Sequence, residues 1–66
     1  MNLVVNGERR SAPDGTTVSG LLRELGLEGR PCAVEINEEL APKREHDERT
    51  LREGDTVEVV TLVGGG

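Results

Sequence analysis

The stretch Thr56-Val57-Glu58-Val59-Val60-Thr61-Leu62-Val63 runs straight into Gly64-Gly65-Gly66, and its reading decides the fold. A Val-rich run with a single charge reads as a β-strand. Val57, Val59, Thr61 and Val63 share one face, and Glu58, Val60 and Leu62 share the other. An unpaired buried carboxylate is costly, so Glu58 marks the open side. Val60 and Leu62 are then apolar residues turned towards solvent.

Working outward, Leu3-Val4-Val5 followed by Asn6-Gly7 predicts a strand entering a hairpin, because Asn-Gly supplies the two positive φ angles of a type I′ turn. The polar return strand, Glu8 to Ala12, suits a sheet edge. Pro13-Asp14-Gly15 is a second turn. Val18, Leu21, Leu22 and Leu25 then fall at i, i+3, i+4 and i+7, which predicts one helix. Thr17 is its expected N-cap, Gly26 its left-handed terminator, and Leu27 should fold back on the last turn. Gly20 within the helix suggests a close approach to the sheet.

Cys32 to Asn37 alternates like a half-buried strand, with Cys32, Val34 and Ile36 inside and Ala33 and Glu35 outside. A polar turn at Asn37-Glu38-Glu39 leads to a short edge piece, Leu40-Ala41-Pro42. Lys43 to Thr50, with six charged residues and His46, reads as a solvated loop, and Leu51 should pin its end. A turn at Glu53-Gly54-Asp55 precedes the last strand. The order β-β-α-β-β-β predicts an α+β chain, a mixed sheet of about five strands with one helix packed on one face. The first and last strands are the most apolar and should lie side by side at its centre. That is the β-grasp arrangement, expected over residues 1–63 with a flexible glycine tail at 64–66.

The chain has 66 residues, 33% of them hydrophobic and none aromatic, so one small aliphatic core is all that it builds. Eight basic residues stand against 13 acidic ones, a net charge of −5, which argues against nucleic acid and anionic membrane surfaces as partners. No apolar run approaches a membrane span, and the N-terminus lacks the pattern of a secretory signal. A single cysteine makes no internal disulfide, so a cytoplasmic location is expected.

Two features point to function. In the first strand Asn2, Val4 and Asn6 face outward, so Val4, Ala33, Val60 and Leu62 are expected to form one exposed apolar patch beside the tail. Scattered surface apolar residues are common, but contiguity makes a partner surface the better reading. The second feature is the glycine tail. Glycine has no Cβ, so Gly64 and Gly65 suit threading through a narrow channel, and the Gly66 carboxylate is unhindered for attack on a nucleotide phosphate. A frayed end is the alternative.

The segment AVEINEELAPKREHDERTLREGDTVEVVTLVGGG resembles the ThiS family of thiamine-biosynthesis sulfur carriers, within the wider MoaD/ThiS superfamily of ubiquitin-like folds. The matching features are the Asn37 turn, the Pro42-Lys43 step, Leu51, Gly54-Asp55, the Val-rich last strand and the glycine end; MNLVVNGE and TTVSGLLRELGL match as well. The absence of every aromatic residue departs from many relatives and touches only the core. The resemblance implies a protein co-substrate, not an enzyme. A ThiF-like adenylating enzyme would activate the Gly66 carboxylate with ATP, the chain itself binding no cofactor. A sulfur donor, either a cysteine desulfurase or a persulfide relay, would convert the adenylate to a thiocarboxylate. A ThiG-like thiazole synthase would take the sulfur, and the free carrier would be a monomer. Carriage for molybdopterin or tRNA thiolation, a ubiquitin-like modifier, and a plain interaction module are the competing readings.

Other chemistry-bearing residues weigh less. Cys32, expected to face inward, suits an inert small hydrophobe. His46 has no second ligand at metal-binding spacing. Glu38, Glu39, Glu45, Asp47 and Glu48 fit solvation and partner steering better than paired catalytic acids.

Overall fold

A computed structural model describes residues 1–62; Val63 and the three glycines, with the expectations placed on them, lie outside the described residues. The elements are β1 (Asn2–Val5), β2 (Glu8–Ser11), α1 (Val18–Glu24), β3 (Cys32–Ile36), β4 (Glu39–Ala41), a 3₁₀ turn (Lys43–Glu45) and β5 (Thr56–Thr61). They build one five-stranded sheet of order β2-β1-β5-β3-β4. β1 runs parallel to β5, and the other neighbouring pairs are antiparallel. The two most apolar strands are therefore central neighbours, as their composition predicts. None of the described helices is long and apolar enough to cross a membrane.

The core lies on one face of the sheet. Leu3 and Val5, Val34 and Ile36, Ala41, and Val57 and Val59 meet Val18, Leu21 and Leu22 of the helix, with Ala12 and Leu51 closing the edges. A seven-residue helix is marginal by itself, so α1 depends on this packing and on its ends. Thr17 accepts the Gly20 N–H through Oγ1 at 3.1 Å. At the other end Leu25 is the C-cap and Gly26, at φ 75°, takes the left-handed turn. The Gly26 N–H donates to the Arg23 carbonyl and the Leu27 N–H to the Leu22 carbonyl, a Schellman closure that folds Leu27 onto the core.

Several expectations need correction. Lys43–Thr50 is not simply a solvated loop: it opens with the 3₁₀ turn and buries His46, which is only 6% exposed. The segment crosses the start of α1, where Arg49 and His46 carbonyls accept the Val18 and Ser19 N–H groups at 2.9 and 3.0 Å. Helix starts leave such donors unpaired, and here the neighbouring chain satisfies them. Gly20 does not mark contact with the sheet, since an added Cβ would meet Thr16 and Thr17 at ordinary distances. Cys32 is half-buried at the rim of the core. Thr61, which pairs with Cys32 at the end of the β3–β5 ladder, is exposed despite sharing the core-side phase.

Candidate functional site

Strand β5 carries the chain towards the glycines, paired with β1 over Thr56 and Val57 and with β3 from Val57 to Thr61. Its last described bond is from the Leu62 N–H to the Pro31 carbonyl at 2.9 Å, one residue beyond the strand. The chain leading to Gly64, Gly65 and Gly66 is thus tied to the β3 side of the sheet up to Leu62.

The uncovered face is set by register. Val60 stands opposite Ala33, Glu58 opposite Glu35, and Leu40 opposite Glu35 from the other side. Val60 and Leu62 are 58% and 51% exposed, and Ala33 is half-buried beside them. Val4 shares the face but pairs with Thr56, so Glu58 lies between it and Val60, which is about 13 Å further along the strand at the usual rise per residue. The structure therefore brings Ala33, Val60 and Leu62 together and leaves Val4 at the far end of the same face.

Leu40, at 66% the most exposed large hydrophobic residue among those described, was not singled out by sequence. Its phase was hidden because β4 is three residues long and ends at a proline. Only its pairing with Glu35 puts it on the open face; the buried Ala41 next to it carries the same message.

A concavity of about 480 Å³ lies on the helix side of the sheet. Cys32, Leu22 and Leu27 form its apolar wall, and Arg23, Arg30, Lys43, His46 and Asp47 its polar rim. Arg23 Nε donates to Glu28, and that bond, together with the attraction of the carboxylate, raises the guanidinium pKa further. The Ser19 hydroxyl bonds Asp47. Among the described residues no group of three His, Cys, Asp or Glu side chains converges as a metal site.

Among the described residues the one hydroxyl–carboxylate pair is Ser19 with Asp47, and it is exposed. What the fold offers instead is a flat, partly apolar sheet face continuous with the strand that leads to the glycines. A mixed β2-β1-β5-β3-β4 sheet with one helix across it is a ubiquitin-like β-grasp domain. Within that class the chain belongs to the ThiS family, whose sequence profile matches residues 3–66. It is similar to the sulfur carrier protein ThiS of Thermus thermophilus, 45% identical over 62 residues that cover 94% of this chain and 95% of that one. The fold superposes on the crystal structure of the thiamine biosynthesis protein ThiS from Geobacter metallireducens with a TM-score of 0.83, at 33% identity over the whole of both chains. A protein of Paramagnetospirillum magneticum called thiazole synthase is 44% identical over 66 residues. This chain spans all of that match but only 20% of the longer protein's length.

Proposed function

We propose that this chain is a sulfur carrier for thiazole formation in thiamine biosynthesis, with the Gly66 carboxylate as the reacting group. The observation that carries the proposal is the end-to-end likeness to a protein named a sulfur carrier, 94% of one chain on 95% of the other. A carboxylate is a poor acyl donor until its oxygen is bonded to a good leaving group. Attack of the Gly66 carboxylate on the α-phosphate of ATP expels pyrophosphate and forms a mixed anhydride with AMP. The outer sulfur of a donor persulfide then displaces AMP to give an acyl disulfide, and a thiol that attacks the donor's sulfur releases the thiocarboxylate and leaves a disulfide on the donor. The carrier is a substrate in these steps; a ThiF-like adenylating enzyme binds the ATP, and a cysteine desulfurase or persulfide relay supplies the sulfur.

The sulfur acceptor is a ThiG-like thiazole synthase. Support comes from the longer relative called thiazole synthase, which includes a stretch similar to this whole chain. Val60, Leu62 and Ala33 form the docking surface, with Val4 as an outlying member, because they border the strand that delivers the tail. Two measurements test the reading: ATP–pyrophosphate exchange with the adenylating enzyme of the same genome, and intact mass of the carrier isolated from its host. Pyrophosphate exchange and replacement of one terminal oxygen by sulfur at Gly66 are expected. A chain that continues past Gly66, or one that supports no exchange, overturns it.

A further inference from the structure

Glu35 and Glu58 stand directly opposite each other at the centre of the open sheet face, on adjacent strands β3 and β5. Directly opposed side chains have Cβ atoms about 4.5–5.5 Å apart, and like charges at that spacing destabilise a sheet. Both residues are exposed. Among the described residues the ion pairs are those of the N-terminus with Asp14, Arg23 with Glu28, and Arg44 with Glu45; neither Glu35 nor Glu58 is in one. Arg9, the basic residue that shares the face, is registered against Val4.

Apolar residues border the pair towards the tail and on β4, while Thr56 precedes Glu58 on the same face of β5. Val60 and Ala33 flank it towards the tail, Leu40 lies beside Glu35 on β4, and Val4 lies beyond Thr56. A partner that covers these residues removes water from the two carboxylates at the same time. Burying them without compensation would be costly, so a partner that covers the patch must bring positive charge to its middle. A guanidinium suits the task best: its planar fork bonds two carboxylates at once and it sheds water more readily than an ammonium. The chain's net charge of −5 favours the same sign of partner.

Resting on the carrier reading, we infer that the adenylating partner docks on this face with an arginine side chain seated between Glu35 and Glu58, framed by apolar contacts to Val60, Leu62 and Leu40. The carboxylate pair is then a recognition device that makes the free carrier less stable and the complex specific.

The test is steady-state ATP–pyrophosphate exchange with the adenylating enzyme of the same genome and three full-length carriers: wild type, the double variant Glu35→Gln/Glu58→Gln, and the control Glu8→Gln/Glu24→Gln. The control removes the same number of charges from exposed sites off this face. The Glu35/Glu58 variant should raise KM for the carrier about tenfold or more, keep kcat, and lose most of the salt dependence that wild type shows. It should also melt a few degrees higher than wild type, because the repulsion is gone. The control should keep wild-type KM. Equal KM for wild type and the Glu35/Glu58 variant overturns the inference while the carrier reading stands, and so does an equal rise in both variants. Absence of exchange with wild type overturns the carrier reading and this partner assignment with it.

Discussion

Asn6 Oδ1 accepts the backbone N–H of Val59 at 2.8 Å, joining the first hairpin to the last strand across 53 residues of chain. The bond continues the parallel β1–β5 ladder, in which the Val4 and Asn6 N–H groups donate to the Asp55 and Val57 carbonyls. Asn6 thus has two tasks. It takes the left-handed first position of the turn, at φ 50°, and its amide stands in for the next backbone carbonyl.

These tasks separate by substitution. Asn6→Gly keeps the turn and loses the bond, leaving a partly buried N–H unpaired, which costs about 1–3 kcal/mol. Asn6→Ala loses both, adding about 1 kcal/mol for the left-handed backbone. Urea unfolding of the two variants should rank them in that order. Equal stability of wild type and Asn6→Gly would show that the Val59 contact contributes nothing.

His46 is the second long-range tie. Its ring nitrogen Nε2 lies 2.8 Å from the Ala41 carbonyl, and a carbonyl oxygen only accepts, so Nε2 carries the proton. His46→Ala removes this bond and a buried side chain beneath the segment that caps α1, and about 2–3 kcal/mol of stability should go with it. Long-range nitrogen–proton correlation spectra should show the Nε2–H tautomer in the neutral ring. A proton on Nδ1 instead would contradict the bond.

The contrast between these two residues marks where sequence was informative. Strand phases were legible because each central strand has one buried face, and Glu58 and Glu35 revealed which face was open. The helix and both its caps were legible because capping depends on a few neighbouring residues. His46 was not: its burial comes from the path of residues 43–50 across the start of α1, a tertiary relation with no local pattern. Cys32 shared the phase of Val34 and Ile36, yet it sits where the core ends, and alternation alone says nothing of how far a core extends. In the candidate site Val60, Leu62 and Ala33 were readable from alternation. The gap between them and Val4 depends on the β1–β5 register, which alternation cannot supply.

Val60 and Leu62 should be replaceable without loss of the fold. Both project from the uncovered face and are more than half exposed, so Val60→Asp or Leu62→Asp should change stability by no more than about 0.5–1 kcal/mol. Val59→Asp, on the other face at 9% exposure, should unfold the domain or nearly so, because a charge would enter the core. Far-ultraviolet circular dichroism with thermal melts distinguishes the three. In pyrophosphate exchange the Val60 and Leu62 variants should bind the adenylating enzyme more weakly despite being folded. Unchanged KM for both would remove this face from the docking surface.

The two hairpins offer an internal comparison at their tips. Asn6-Gly7 joins β1 to β2 with φ angles of 50° and 82°; Asn37-Glu38 joins β3 to β4 with 51° and 70°. Both are two-residue loops of the type I′ form, yet the second puts glutamate where the first has glycine. The Asn37 side chain has local work, donating to Asp55 Oδ1 at 3.0 Å and accepting the Thr56 N–H at 2.9 Å, so asparagine is explained there. Glu38 is exposed, and none of the described hydrogen bonds or ion pairs involves its side chain. A side chain with a Cβ costs about 1–2 kcal/mol in the left-handed region. Glycine gives back about 0.4–1 kcal/mol through greater freedom in the unfolded chain. Glu38→Gly should therefore stabilise the domain by about 0.5–1 kcal/mol, a rise of roughly 3–6 °C in Tm for a domain of this size. The reciprocal change, Gly7→Glu, should lower Tm by a similar amount. Differential scanning calorimetry of both variants checks the pair. A Glu38→Gly protein that melts at or below the wild-type temperature would mean that the glutamate side chain stabilises the folded domain enough to offset its backbone strain.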